Sequence, residues 1–126
     1  MKDINKNIKL FLEFIPSDKV KYFYYASDLV VLPYREFMSQ SALGADALAF
    51  EKPLIVTDVG GLPELVKDRN FVVEQNNPRE LAEKILLALG DDELLKKLAE
   101  DSRDLAEEYS WDKVAEMTVG LYRKIV

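Results

Sequence analysis

The chain has 126 residues, of which 48% are apolar and 32% charged, a composition typical of one soluble domain with a substantial core. Its 17 basic and 23 acidic side chains give a net charge of −6, which argues against a nucleic-acid-binding surface. It contains neither cysteine nor histidine, which excludes disulfides, thiolate nucleophiles, Ser-His-Asp triads and metal sites built from these two residues.

The N-terminal sequence does not match a targeting signal. In MKDINKNIKLFLEFIP, charges flank a short apolar stretch and no small-residue cleavage site follows. No apolar run anywhere reaches the roughly 20 residues of a membrane span. These features predict a cytoplasmic protein with no membrane span.

Four short runs rich in β-branched and aromatic residues predict strands. They are Ile8–Phe14, Asp28–Leu32, Leu54–Thr57 and Asn70–Glu74. The second and third are apolar throughout, as strands covered on both faces are in a parallel sheet.

Helical patterns fill the gaps between these strands. Ser17 is expected to cap a helix that ends near Ala26, and the stretch Gln40–Phe50 is rich in alanine and leucine. Pro63 suits a first helical turn, and Glu64 complements the positive end of that helix.

Two groups of aromatic residues are also assigned to helices. The run Tyr22–Tyr25 could offer a stacking platform, but a helix with Phe23 inside and half-buried tyrosines fits it better. Trp111 is expected to pack on the sheet.

The C-terminal half predicts three helices. Asn77 and Pro78 supply a cap and a first-turn proline, Gly90 ends the first helix, Asp91 begins the second and Ser110 caps the third. Their expected apolar stripes are Leu81, Ile85, Leu86 and Leu89; Leu94, Leu95, Leu98, Leu105 and Ala106; and Trp111, Val114, Ala115, Thr118, Leu121, Tyr122 and Ile125.

Together these patterns predict one α/β domain over residues 1–126. It has a Rossmann-like, mainly parallel sheet of about four strands with flanking helices. The βα units occupy 8–76 and the C-terminal helices 77–126.

Ligands of such folds bind outside the carboxyl ends of the strands, here segments 15–18, 34–41, 58–64 and 75–77. The second segment places Ser39, Gln40, Ser41 and Ala42 at a helix start, where free N–H groups favour an anion. Asp46, one turn further on, could accept hydrogen bonds from vicinal hydroxyls. The alternative is that Ser39 only caps the helix and Asp46 is a solvated helix residue.

The third segment contains a Gly-Gly turn between a strand and a helix. Gly60 and Gly61 would let the backbone approach a ligand closely or adopt a positive φ. The alternative is a tight connection in which Glu64 only complements the helix dipole.

The sequence resembles a known family at these residues. The resemblance is carried, in order, by F-x-x-F-I-P-S-D-K-V, Y-Y-A-S-D-L-V-V-L-P-Y, A-D-A-L-A-F-E-K-P-L-I-V-T-D-V-G-G-L-P-E-L-V, N-N-P-R-E-L-A and Y-S-W-D-K-V-A. It is to the C-terminal lobe of retaining glycosyltransferases with the GT-B fold, the group 1 glycosyl transferases, over about residues 8–126.

The resemblance implies a lobe that binds a nucleotide-sugar donor of UDP or GDP type, with a separate lobe for the acceptor. It implies transfer with retention of configuration, no cofactor besides the donor substrate and no catalytic metal. Ser39, Gln40, Ser41 and Ala42 match the loop that meets the donor phosphates and sugar, together with Gly60 and Gly61.

The resemblance assigns the other matching positions to the surroundings of the nucleotide. Asp46 falls where a glutamate binds the ribose, Glu64 borders the pocket, and Phe14 and Pro16 fall where the base sits.

The sequence departs from the family pattern at several positions. Met38 stands where the first of two glutamates is usual, unless Glu36 replaces it, and Ala42 and Glu51 stand where glycine is usual. The family lobe normally begins with two further βα units, which carry a glycine turn and a basic pair and are missing here.

The sequence therefore predicts a partial glycosyltransferase lobe that binds nucleotide sugar weakly and does not catalyse transfer alone. Two alternatives remain: a non-catalytic assembly domain that kept the scaffold, and a piece of a larger enzyme. Because Asp28–Leu32 would lie at the sheet edge, we expect Ile8–Phe14 to pair with it, or a homo-oligomer to form.

Overall fold

The fold of the computed structural model is described for residues 6–36 and 38–126. Three strands are present in this part of the chain: β1 (Val30–Leu32), β2 (Leu54–Thr57) and β3 (Val72–Val73). The α-helices are α1 (Ser17–Ala26), α2 (Ala42–Ala49), α3 (Pro78–Leu89), α4 (Asp92–Glu108) and α5 (Trp111–Ile125). Two short 3₁₀ helices, Leu62–Leu65 and Arg69–Phe71, lie between β2 and β3.

The sheet is parallel and has the order β1-β2-β3. Val31 pairs with Ile55, and Val56 pairs with Val72. All four β2 residues are buried, which explains why Leu54, Ile55 and Val56 are all apolar. The hydroxyl of buried Thr57 donates to the Tyr34 carbonyl at 2.7 Å. The predicted α/β class and the mainly parallel sheet are therefore confirmed.

The prediction of a strand at Ile8–Phe14 was wrong. This segment forms no strand, and the side chains of Leu12 and Phe14 are 81% and 86% exposed. A strand requires a hydrogen-bonding neighbour, and the described chain places none beside this segment. The segment does not pair with β1, although the ring of Phe11 packs edge-on against Phe23 at 5.0 Å.

Most helix starts follow the predicted local signals. The side chains of Asn77, Asp91 and Ser110 accept hydrogen bonds from the backbone N–H groups three residues further on. The prediction that Ser17 caps α1 was wrong. Pro16 occupies the cap position, and its carbonyl accepts the N–H of Lys19 at 2.9 Å, so Ser17 lies inside the helix.

Helix α2 begins later than predicted, at Ala42, and ends in a Schellman motif. The N–H groups of Glu51 and Lys52 donate to the carbonyls of Leu48 and Ala47, both at 2.9 Å. Glu51 adopts φ 54°, the left-handed conformation in which glycine is usual.

The core lies between the sheet, α2 and α4. Phe71, Ile55, Leu62, Val56 and Val73 are its largest fully buried side chains. The predicted α4 stripe is confirmed, with Leu98 and Leu105 buried and the others partly buried against the core. In α1 the buried aromatic residue is Tyr24 rather than Phe23, because Tyr24 stacks on Phe50 at 5.0 Å and donates to the Leu43 carbonyl.

The outer helices are less covered than predicted. In α3, Ala88 is buried while Leu86 and Leu89 are 72% and 48% exposed. Helix α5 buries no residue, and Trp111 is 88% exposed, so its predicted packing on the sheet was wrong. Nothing in the described chain lies over the outer face of α5. None of the helices given above is both long and apolar enough to cross a bilayer.

Candidate functional site

The loop that leads into α2 is held by its own cap. The Ser41 side chain is 5% exposed, and its hydroxyl accepts a hydrogen bond from the Gly44 N–H at 3.1 Å. The cap of α2 is therefore Ser41, and the alternative that Ser39 caps this helix was wrong. The N–H groups of Ala42 and Leu43 lie in the first turn of α2, where backbone N–H groups have no carbonyl partner within the helix.

The Gly-Gly turn after β2 lies directly against this loop. The Gly61 N–H donates to the Ser39 carbonyl at 3.4 Å, and the Gln40 amide donates to the Glu64 carboxylate at 3.2 Å. Gly60 has φ 52°, a conformation that glycine adopts without strain. A methyl group on Gly61 would overlap the Gln40 amide. The two predicted segments thus meet through both backbone and side chains.

Asp46 lies one turn inside α2, half-buried, and lines a cavity of about 490 Å³. Gln40, Ser41 and Glu64 line the same cavity, so four of the predicted residues surround one space. Buried Leu48 and Leu65 belong to its apolar lining.

The opposite wall of this cavity comes from residues that the sequence reasoning did not select. Tyr109, Ser110 and Trp111, at the junction of α4 and α5, line it. The Tyr109 hydroxyl donates to the Glu64 carbonyl at 3.2 Å, which ties this junction to the 3₁₀ helix. Trp111 continues the apolar stripe of α5, which predicts a core position, and nothing in its local pattern indicates a cavity.

The other six predicted site residues do not line this cavity. Ser39, Ala42, Gly60 and Gly61 belong to the two loops that meet beside it, whereas Phe14 and Pro16 lie elsewhere. Phe14 and Pro16 are exposed and do not line the cavity that contains Asp46. Their expected position depended on a strand at Ile8–Phe14, which the described chain does not form.

A second cavity, of about 440 Å³, lies at the carboxyl edge of the sheet. Its lining includes Arg35, buried Thr57, Glu74, Asn76 and Asn77. The carboxyl ends of all three strands therefore meet here, where parallel α/β sheets bind ligands. Segment 34–41 also contains Phe37, which lies outside the described residues.

The carboxylates of Asp46 and Glu64 line the Asp46 cavity, and both act on nearby tyrosines. Burial raises the pKa of the Tyr24 phenol above its ordinary value, and the charges of Asp46 and then Tyr34 add to the shift. Burial, followed by the charges of Glu108 and Glu64, likewise raises the pKa of Tyr109. Among residues 6–36 and 38–126, no group of three acidic side chains could hold a metal ion.

Comparison with known proteins adds a family context. The sequence profile of the family described as glycosyl transferases group 1 matches residues 2–105. The chain is 36% identical over 98 residues to an uncharacterized glycosyltransferase of Methanocaldococcus jannaschii, covering 76% of this chain and 28% of that protein.

Two further relatives are similar over most of the chain. A D-inositol 3-phosphate glycosyltransferase of Streptomyces bingchenggensis is 33% identical over 108 residues, or 83% of this chain and 23% of that protein. Spore coat protein SA of Bacillus subtilis is 26% identical over 125 residues, which cover 96% of this chain and 33% of that protein. The chain therefore spans about a quarter to a third of the length of these relatives.

Proposed function

The chain belongs to the group 1 glycosyl transferases, and from that premise we propose that it supplies the nucleotide-sugar-binding surface of a retaining glycosyltransferase. The observation that carries the proposal is the contact between the loop that opens α2 and the Gly-Gly turn. In this contact the Gly61 N–H donates to the Ser39 carbonyl and the Gln40 amide donates to Glu64, and Gln40 and Glu64 line the same cavity as Asp46.

Each part has a role in this proposal. The first turn of α2 and the neighbouring glycine backbone face the donor diphosphate, because unpaired N–H groups and the helix dipole favour negative charge. Asp46 accepts hydrogen bonds from the ribose hydroxyls. In the transfer step, the bond from the anomeric carbon to the diphosphate breaks and a bond to the acceptor oxygen forms. The acceptor proton passes to the leaving phosphate.

Weak binding is expected of this chain alone. A helix start contributes only about 0.3–1 kcal/mol towards an anion. The cavity that contains Asp46 has no lysine or arginine among its lining residues. Affinity in the millimolar range, roughly −4 kcal/mol, is therefore expected for UDP or GDP.

The test is an NMR titration of the isotope-labelled chain with UDP and GDP. We expect amide shifts at Ser39–Ala42 and Gly60–Gly61, and loss of at least half of the affinity in Asp46→Asn. Asp92→Asn is the matched control, because Asp92 is an exposed first-turn residue of α4 outside the cavity. Shifts confined to other surfaces, or equal affinity in both variants, would overturn the proposal.

Transfer itself requires more than this surface. Holding donor and acceptor together accounts for roughly 7–11 kcal/mol of barrier reduction. We propose that a separate acceptor-binding lobe supplies that positioning. The purified chain is expected to show no turnover with any nucleotide sugar.

A second candidate function is assembly with another copy of the chain. Helix α5 buries none of its side chains, although Val114, Thr118, Leu121 and Ile125 recur at the three- and four-residue spacing of an apolar helical seam. Fifteen residues form only a marginal helix in water, so a stable α5 needs a covering surface. The departures from the family pattern at Met38, Ala42 and Glu51 also favour this function.

A further inference from the structure

Gly61 and Gln40 pack against each other where the loop that opens α2 meets the Gly-Gly turn. The three atoms that a methyl group on Gly61 would approach most closely all belong to the Gln40 side chain. Gly61 has φ −88°, which any residue can adopt, so its backbone conformation does not require glycine. The lack of a side chain at position 61 instead leaves the space that the Gln40 amide occupies.

Gln40 also bonds to the 3₁₀ helix that follows the turn. Its amide donates to the Glu64 carboxylate at 3.2 Å, and an ionised acceptor makes this a charge-assisted hydrogen bond. The backbone of Glu64 is held from the other side, because its carbonyl accepts from the Tyr109 hydroxyl at 3.2 Å. The bond from the Gly61 N–H to the Ser39 carbonyl belongs to the same contact. Gln40 therefore closes onto a partner that is itself fixed.

This contact joins two surface loops and adds little to the stability of the fold. The Gln40 and Glu64 side chains are both exposed, and an exposed hydrogen bond competes with water. Surface loops move unless contacts hold them. A ligand that binds backbone groups of two separate loops loses affinity when it must first order them. A contact that fixes both loops before the ligand arrives therefore raises the affinity without adding a bond to the ligand.

We propose that Gln40 is a positioning residue, which holds the loop that opens α2 against the Gly-Gly turn through its contacts with Gly61 and Glu64. The inference rests on the function proposed above, in which backbone groups of both loops face the donor diphosphate. Gln40 acts on binding through the loops, since it spares the ligand the cost of ordering them. Loss of these contacts separates the loops and weakens nucleotide binding, while the core keeps its stability.

The loop contact is measured first in the ligand-free chain, by the protection of the Gly61 amide against hydrogen exchange. Gln40→Ala should lower this protection severalfold, and urea denaturation should show unchanged stability. Gln75→Ala is the matched control, because Gln75 is the other glutamine of the chain, is exposed and lines neither of the two cavities described above. Protection that is equal in Gln40→Ala and the wild-type chain would overturn the proposal.

Reversal of the pair separates positioning from a change of charge. Gln40→Glu places two carboxylates together, so the Gly61 amide should lose protection at neutral pH. Protection should return on acidification, at a pH above the ordinary glutamate pKa of about 4.3, as the pair comes to share one proton. Gln40→Glu/Glu64→Gln keeps the net charge and restores an amide–carboxylate bond, so it should recover the protection at neutral pH. Asp46 and Tyr109 line the same cavity in every variant, so their titration is common to all the curves. A double variant no better than Gln40→Glu would overturn the proposal.

Titration with UDP then separates this inference from the proposed function. Gln40→Ala should weaken UDP binding by about three- to tenfold, the equivalent of one ordinary hydrogen bond, and the reversed pair should restore most of the affinity. Lower Gly61 protection in Gln40→Ala, with no UDP shifts in the wild-type chain, would reject the proposed function and retain the loop contact. UDP affinity that is unchanged although the protection is lost would retain the proposed function and reject the positioning role of Gln40.

Discussion

The hydroxyl of Ser102 donates a hydrogen bond of 2.7 Å to the backbone oxygen of Lys52, fifty residues earlier in the chain. Ser102 is 3% exposed and lies on the buried face of α4. Lys52 is the residue whose N–H completes the Schellman motif of α2. A single side chain thus joins the helical C-terminal half to the connection between α2 and β2.

Ser102→Ala should lower the free energy of unfolding by about 1–3 kcal/mol, because it leaves the partly buried Lys52 carbonyl without this donor. Urea denaturation measures the effect. Ser27→Ala is the control, since the Ser27 hydroxyl makes a comparable bond to the Phe23 carbonyl at an exposed site. Equal losses in the two variants would contradict the argument.

Glu51→Gly should stabilise the chain. At φ 54°, a side chain costs roughly 1–2 kcal/mol relative to glycine. Glycine also has more conformational freedom in the unfolded chain, which reduces this stabilisation by about 0.4–1 kcal/mol. A net gain of about 0.5–1 kcal/mol is expected in thermal or urea unfolding.

Glu51→Ala provides the comparison for that gain. It removes the same charge but keeps the strained backbone, so it should bring little stabilisation. Equal gains from alanine and glycine would mean that the charge of Glu51, and not its conformation, sets its cost.

Local sequence signals predicted local structure well. Asn77, Asp91 and Ser110 cap the helices that the sequence assigned to them, because a cap is a contact between residues three positions apart. The predictions of a strand at Ile8–Phe14 and of a buried Trp111 were wrong for the opposite reason. A strand and a buried tryptophan depend on distant partners, and a residue pattern does not state whether a partner is present.

Trp111→Ala should cost less than about 1 kcal/mol of stability, since the side chain is largely exposed. Phe71→Ala, at a position only 1% exposed, should cost about 3–5 kcal/mol. Denaturation of the two variants under identical conditions makes the comparison. A loss from Trp111→Ala as large as that from Phe71→Ala would place the indole in the core.

The raised pKa of Tyr24 predicts that the folded chain loses stability at high pH. Its folded pKa is raised by burial and by Asp46, so the unfolded state releases the phenolic proton first, near its ordinary value of about 10. The stability that the Tyr24 phenol contributes is therefore complete below pH ~10 and is lost as the pH rises through the folded pKa.

Tyr24→Phe isolates this effect. At neutral pH it should cost about 1 kcal/mol through the lost bond to the Leu43 carbonyl. That difference should narrow in urea titrations above pH ~10, where the wild-type chain loses stability and the variant lacks the titrating group. A difference that stays constant with pH would show that the phenol ionises alike in both states.

Only part of the candidate site could be predicted from the sequence. The rule that ligands bind beyond the carboxyl ends of parallel strands selected the segments of Gln40 and Glu64, whose side chains meet. It could not select Tyr109 and Trp111, because they follow a helix, not a strand. Only the packing of α4 against α2 brings them to the Asp46 cavity.

The last prediction is self-association through α5. Val114, Leu121 and Ile125 of the seam are 42%, 58% and 71% exposed, and a specific interface between two copies would bury roughly 1,000 Å² in total. An antiparallel pair would place Asp112 of one copy near the Arg123–Lys124 end of the other. Light scattering over a tenfold concentration range should show a rising mass.

Leu121→Asp should abolish that rise by placing a charge in the middle of the apolar seam of α5. Leu86→Asp is the matched control, because Leu86 is 72% exposed on α3 and lies outside the seam. If both substitutions act alike, association is unspecific, and if neither acts, it uses another surface, such as the open edge of β1. A mass that stays at 14.4 kDa at every concentration would remove the second candidate function, since an assembly domain that does not assemble has no role.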